Sequence, residues 1–101
     1  MVIYEITAVV SEELTDRYEE YMLRQHIPAV LATGFFLGSS ISRNGDRYRI
    51  RYKAKHQSKV DQYIEERAAF LRADFQKHFP TGVVLSRETW SVLASLEAPP
   101  R

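Results

Sequence analysis

The stretch RYRIRYKAK, residues 47–55, alternates between basic and apolar or aromatic side chains at every position. Such alternation is typical of a β-strand with one buried face, because successive side chains of a strand point to opposite sides of the sheet. The dipeptide Asn44-Gly45 before it favours a tight hairpin, since both residues tolerate positive φ. Residues 35–43 are therefore predicted to pair with this strand in antiparallel fashion.

Strand and helix signals continue on both sides of this hairpin. Residues 2–10 and 83–93 are rich in β-branched side chains and predict two further strands. Amphipathic segments between the strands predict two helices, the first capped by Ser11 and the second by Ser58 with Asp61 in a capping-box position. The buried face of the second helix is expected to consist of Val60, Tyr63, Ile64, Phe70, Leu71, Phe75 and Phe79.

The order of these elements, β-α-β-β-α-β, predicts an α+β fold of the ferredoxin-like type. Right-handed crossovers place the first and third strands in the centre of a four-stranded antiparallel sheet, with both helices on one face. One domain is expected over residues 1–97, and residues 98–101, with two adjacent prolines, should form a loose tail.

Composition narrows the function classes. Hydrophobic residues make up 45% of the 101 residues, which is typical of a globular domain. The absence of cysteine excludes disulfides, thiolate nucleophiles and cysteine-based metal sites. No apolar run approaches the ~20 residues of a membrane span, and no signal peptide is recognisable, so a cytoplasmic protein without a membrane partner is expected.

The sheet face away from the helices is predicted to mix charged and apolar side chains. The face includes Glu5, Arg49, Arg51 and Trp90. It either faces water or packs against the same face of a second copy, and the apolar Ile3 and Val9 among the charges favour a homodimer, as in a dimeric α/β barrel.

A nucleic-acid-binding function is the alternative use of such an open face. RNA-recognition modules share this topology and stack bases on aromatic side chains of the central strands. Here, however, the alternation places Tyr48 and Tyr52 on the side opposite the arginines, and the net charge is only +1. We therefore expect no nucleic-acid partner.

His26 is the best candidate for acid–base chemistry, because an unperturbed imidazole titrates near neutrality. It precedes Ile27-Pro28, where the proline is expected to kink or interrupt the first helix, and the following helical turn should end at Gly34. The alternative is a structural histidine that caps a freed carbonyl or packs in the core. No histidine pair or histidine–carboxylate cluster occurs at metal-ligand spacing, so neither a metal nor a cofactor is expected.

The six tyrosines are numerous for this length. Tyr4, Tyr18 and Tyr52 are expected to converge between the first helix and the sheet, where they would offer stacking surfaces and hydroxyl groups to a flat aromatic ligand. The alternative is that they are amphipathic residues at the edge of the core. Arg72, at the margin of the second helix, is either a surface residue or a carboxylate anchor.

Two segments carry a family resemblance, IYEIT at residues 3–7 and HIPAVLATGF at residues 26–35. With weaker support from Tyr52, Arg72 and Phe79, they resemble the RedY/HapK-like family of the dimeric α/β-barrel superfamily. The resemblance implies a cytoplasmic homodimer that acts in prodiginine pigment biosynthesis on a pyrrole or bipyrrole intermediate.

Superfamily membership would leave the reaction open, because cofactor-free monooxygenases, isomerases, cyclases and non-catalytic binders share the fold. Within this picture, His26 and Tyr4 are the predicted catalytic residues. Tyr18, Tyr52 and Arg72 are the predicted substrate-binding residues.

Overall fold

The computed structural model describes residues 1–101 and contains one antiparallel sheet. Its strands are β1 (Val2–Val10), β2 (Gly38–Asn44), β3 (Arg47–Ala54) and β4 (Val83–Ser91). They lie in the order β2-β3-β1-β4, so that β1 and β3 are central. Residues 92–101 follow without helix or strand. The predicted ferredoxin-like fold is thereby confirmed.

Two helical arms pack on one face of the sheet. The first consists of a 3₁₀ turn (Glu12–Leu14), α1 (Thr15–Tyr21), a π-helical turn (Met22–His26) and α2 (Ile27–Ala32). The second consists of α3 (Gln57–Tyr63), a π-helical turn (Ile64–Ala68) and α4 (Ala69–His78). Neither arm contains a helix with the length and apolar character needed to cross a membrane.

The register of the central strands separates the two faces as the alternation predicts. Tyr4 lies opposite Tyr52, and Glu5 lies opposite Arg51. Alternate residues of β3 are buried beneath the helical arms, beginning with Tyr48, while the arginines between them are exposed. The inner face therefore supplies the core and the outer face carries the charges.

The predicted kink or interruption at Pro28 takes the form of a π-helical turn, after which α2 begins with Pro28 in its first turn. The N–H of Ile27 donates to the carbonyl of Met22, five residues earlier, so the helix widens by one residue just before the proline. This wider turn accommodates the loss of the proline N–H from the hydrogen-bond ladder. The predicted end of the arm is confirmed, since Gly34 adopts a positive φ of 85°.

The predicted helix caps are confirmed in position for Ser11, which is the N-cap residue of the first arm, and wrong for Ser58. Ser11 makes no side-chain capping bond, and its carbonyl instead accepts from the N–H of Leu14 at 2.9 Å in the 3₁₀ turn. The second arm begins one residue before Ser58, with His56 as the N-cap residue. Local capping preference is worth only about 1 kcal/mol, so tertiary packing readily shifts a helix start.

The buried face of the second arm differs from the predicted one at three positions, since Ala68 is buried and two predicted residues are not. Phe70 is 75% exposed and Ile64 is 42% exposed. The buried positions are Val60, Tyr63, Ala68, Leu71, Phe75 and Phe79. Successive helical residues are about 100° apart around the axis, so Phe70 points away from the sheet when Leu71 points toward it.

Candidate functional site

A cavity of about 280 Å³ lies between the inner face of the sheet and the two helical arms. All five residues predicted to form a site line it, namely Tyr4, Tyr18, His26, Tyr52 and Arg72. They come from β1, the first arm, β3 and the second arm. The fold therefore brings the five together, and their functional roles remain predictions.

Tyr18 lines this cavity and carries a hydroxyl without a partner in the protein. The residue is fully buried, and its Oη atom has no hydrogen-bond partner in the protein. Its ring is held edge-on by Phe75 and Phe79, with centroid distances of 6.2 and 5.8 Å. Burial raises the pKa of this phenol, so Tyr18 stays a neutral O–H donor at physiological pH.

His26 ends the π-helical turn and lies at the cavity wall. Burial lowers the pKa of its imidazole from 6.5 to about 4; Asp74 opposes this effect and Arg87 adds to it. Its ring lies 5.7 Å from that of Phe75 and 5.8 Å from that of Tyr21. Because its side chain makes no hydrogen bond within the protein, a neutral imidazole is left with a free acceptor nitrogen.

Tyr4 forms the centre of an aromatic cluster on the opposite wall. Its ring centroid lies 6.0 to 6.3 Å from those of Phe36, Tyr52 and Tyr63. Its phenol oxygen accepts a hydrogen bond from Arg72 Nη2 at 3.0 Å. Burial raises the pKa of Tyr63 to about 12, with Tyr4 adding to the rise and Arg72 and Arg87 opposing it.

Part of the cavity wall was not predicted from the sequence. The predicted site lies between the first helix and the sheet, whereas the second arm and β4 also contribute to the cavity, through Tyr63, Gln76 and Arg87 among others. Arg87 lies opposite the inward-facing Ile6 in the strand register, so alternation in β4 could have revealed it. Gln76 follows Arg72 by one helical turn and shares its face.

The predicted outer-face residues meet at Glu5, on the other side of the sheet. This carboxylate is 6% exposed, forms ion pairs with Arg49 Nε at 3.3 Å and Arg51 Nε at 3.1 Å, and accepts a hydrogen bond from Trp90 Nε1 at 3.2 Å. Trp90 is half exposed opposite Ile3 near one end of the β1–β4 pair, and Val9 and Val84 are exposed opposite each other near its other end. We call these three residues the outer apolar patch.

Nowhere in the chain do three or more histidine, aspartate or glutamate side chains come together in a way that could hold a metal ion.

A family model described as a domain of unknown function, DUF4286, matches residues 1–93. The chain belongs to the DUF4286 family. No curated protein matches it in sequence.

Solved structures of low sequence identity share the fold of this DUF4286 domain. A Deinococcus radiodurans protein described as a candidate antibiotic biosynthesis monooxygenase is 15% identical, with a TM-score of 0.71 and coverage of 99% of this chain and 100% of that one. Rv0793 from Mycobacterium tuberculosis is 10% identical, with a TM-score of 0.64 and coverage of 96% and 100%.

A third structure, from an uncultured marine organism, is described as a dimeric ferredoxin-like protein. It is 10% identical, with a TM-score of 0.63 and coverage of 97% and 100%. At these identities the comparisons establish the ferredoxin-like fold of the DUF4286 domain, and they carry no information on substrate or reaction.

Proposed function

We propose that this DUF4286 protein binds a small planar heteroaromatic molecule in the cavity, a pyrrole or bipyrrole intermediate of prodiginine-type pigment biosynthesis. The observation that carries the proposal is the buried hydroxyl of Tyr18, which has no partner in a cavity walled by aromatic rings. Leaving such a group unpaired costs about 1–3 kcal/mol, and a ligand acceptor would offset that cost.

The size and walls of the cavity suit a ligand of one or two rings. A cavity of ~150 Å³ is sufficient for benzene, and this one measures about 280 Å³. Tyr4, Tyr52 and Tyr63 offer ring surfaces on one side, and Phe75 offers another on the helical side. Aromatic pairs of this kind contribute about 0.5–1.5 kcal/mol beyond the area that they bury.

The polar groups of the cavity complement a pyrrole that carries a carbonyl. Neutral His26 offers an acceptor nitrogen for the pyrrole N–H, and Tyr18 offers an O–H donor for the carbonyl oxygen. The choice of the prodiginine pathway, and with it a cytoplasmic location, rests on the resemblance of residues 3–7 and 26–35 to the RedY/HapK-like family.

A catalytic role for His26 is favoured over simple ligand carriage by one observation. Its imidazole is neutral at physiological pH and is not engaged by any other side chain or carbonyl of the protein. It can therefore take a proton from a bound ligand and return it, and the Tyr4 hydroxyl is the second group available for proton transfer. The reaction would be a cofactor-free cyclisation, condensation, dehydration or monooxygenase-like step. A binder that shields an unstable intermediate is the alternative.

The proposal includes a homodimer formed through the outer face of the sheet. The outer apolar patch supports it, because an exposed tryptophan and an exposed valine pair on one sheet face are apolar surface that a contact would cover. Glu5 forms ion pairs with two arginines of this face, which lowers the desolvation cost of burying their charges in an interface. The marine structural neighbour is described as dimeric, which is consistent with self-association.

Two experiments test the proposed function. The first is calorimetric titration with pyrrole-2-carboxaldehyde and a bipyrrole aldehyde, where saturable binding that weakens in a Tyr18→Phe variant is expected. Trp90 fluorescence is unsuitable as the readout, since Trp90 lies on the sheet face away from the cavity. The second is deletion of the gene, which should cause one pathway intermediate to accumulate; a pathway at full yield would refute the proposal.

A further inference from the structure

The cavity of the proposed function is lined by positively charged side chains and by no negatively charged ones. Two of its lining residues, Arg72 and Arg87, are cationic, and no aspartate or glutamate lines it. His26 is neutral at physiological pH because of its burial. A concave site lined by charges of one sign concentrates ligands of the opposite sign.

Neither arginine is neutralised by the protein itself. The ion pairs of the chain involve Arg24, Arg43, Arg49, Arg51 and His78. Arg72 donates one hydrogen bond, to the uncharged phenol of Tyr4, and Arg87 donates none. Since a guanidinium carries five N–H donors, both side chains keep most of their capacity for a ligand.

The two arginines line the cavity from different layers. Arg87 lies on β4 directly opposite Ile6 of β1, whose neighbour on the same face is Tyr4. Arg72 reaches Tyr4 from the second helical arm at 3.0 Å. Both guanidinium groups also act on the phenol of Tyr63, opposing the rise in its pKa. The cationic groups of the cavity therefore come from both the helical layer and the sheet.

We propose that the ligand carries a carboxylate held by Arg72 and Arg87, so that the substrate class is a heteroaromatic carboxylic acid. This inference rests on the proposed function and specifies its ligand. The planar fork of a guanidinium matches the two oxygens of a carboxylate. Ten of the fourteen lining residues are hydrophobic, which favours a flat aromatic acid over a free inorganic anion.

The test compares two probes with the same ring, pyrrole-2-carboxylate and pyrrole-2-carboxamide, by calorimetry at pH 7.5. The acid is expected to bind at least about ten-fold more tightly than the amide, the lower end for charge-assisted hydrogen bonds. Arg87→Met should reduce this ratio to within about three-fold, because the acid loses a charge-assisted hydrogen bond and the amide at most a weaker neutral one. Arg72→Met should reduce it as well, as an independent second variant.

Arg67→Met is the matched control, since Arg67 is an exposed residue of the second arm that does not line the cavity. It removes the same charge and should preserve the ratio. Equal affinity for acid and amide in the wild-type protein would overturn the carboxylate inference alone. An equal loss in the Arg67 and Arg87 variants would do the same, and binding of neither probe would overturn the proposed function too.

Discussion

Arg72 Nη2 donates a hydrogen bond to the phenol oxygen of Tyr4 at 3.0 Å, joining two residues that are 68 positions apart in the chain. The contact ties the second helical arm to the central strand β1 and closes one side of the cavity. Because the phenol keeps its own O–H and the guanidinium keeps other donors, the pair shapes the wall and still presents polar groups to a ligand.

Removing the Tyr18 hydroxyl should weaken ligand binding without lowering the stability of the fold. Tyr18→Phe eliminates a buried hydroxyl without a partner, so we expect the free energy of unfolding to stay equal or rise by about 1 kcal/mol. Affinity for the pyrrole aldehyde should fall roughly ten-fold, because the ligand carbonyl loses its donor. Thermal denaturation and calorimetric titration measure the two effects.

Tyr48→Phe is the control for this experiment. Tyr48 donates to Glu19 and does not line the cavity. Its loss should cost about 1 kcal/mol of stability and leave binding unchanged. The account of Tyr18 is contradicted if the two variants behave alike.

Acid should destabilise the fold through His26. Its pKa is 6.5 when unperturbed and about 4 in the folded protein, so below pH 6.5 the unfolded chain binds the proton more readily. The free energy of unfolding is therefore expected to decrease by up to roughly 3 kcal/mol as the pH falls from about 6.5 to 4.

Chemical denaturation across this pH range measures the effect. His26→Gln should flatten the pH dependence, whereas His56→Gln, at an exposed histidine outside the cavity, should retain it. A steep slope that survives in the His26 variant would show that other groups cause it.

Replacement of His26 also distinguishes catalysis from carriage. If His26 transfers a proton, His26→Gln should lower turnover of the accumulated intermediate by roughly 10²–10⁴ with affinity nearly intact. The measurement is product formation from the intermediate isolated from the deletion strain. If the protein only carries its ligand, product formation with excess intermediate should not change.

A charge within the outer apolar patch should dissociate the proposed dimer. Val9 is 39% exposed on the outer face, where it lies opposite Val84. Val9→Glu is expected to give a monomer at micromolar concentration in sedimentation velocity, with the helical circular dichroism preserved, because an unpaired charge in an interface is costly.

Phe70→Glu is the control for dimerisation, since Phe70 is 75% exposed on the helical layer and away from the outer face. It should leave the oligomeric state unchanged. A wild-type protein that is monomeric under the same conditions would refute the dimer proposal.

The sheet could be predicted from the sequence because alternation is a strong local signal. One face of β3 must be buried, so a shift by a single residue would have exposed Tyr48 and Tyr52 to water. The same signal in β4 places Arg87 on the inner face, although its charge obscured the pattern.

The helical arms were less predictable, because their details depend on tertiary packing. Pro28 is a helix breaker by local rules, and no pattern in the sequence predicts the π-helical turn that precedes it. Phe70 is apolar and next to a buried position, yet it faces solvent. The shape of the cavity depends on how the two arms pack on the sheet. The sequence could therefore predict some of the lining residues, and the others are defined only by the tertiary structure.

The central claim is that the cavity binds a small heteroaromatic ligand, and chemical-shift mapping by NMR with pyrrole-2-carboxaldehyde tests it most directly. The account predicts saturable shifts at Tyr18, His26 and Tyr52, weakened in the Tyr18→Phe variant, with Trp90 unperturbed. Shifts confined to the outer face around Trp90, or no saturable shifts at all, would contradict it.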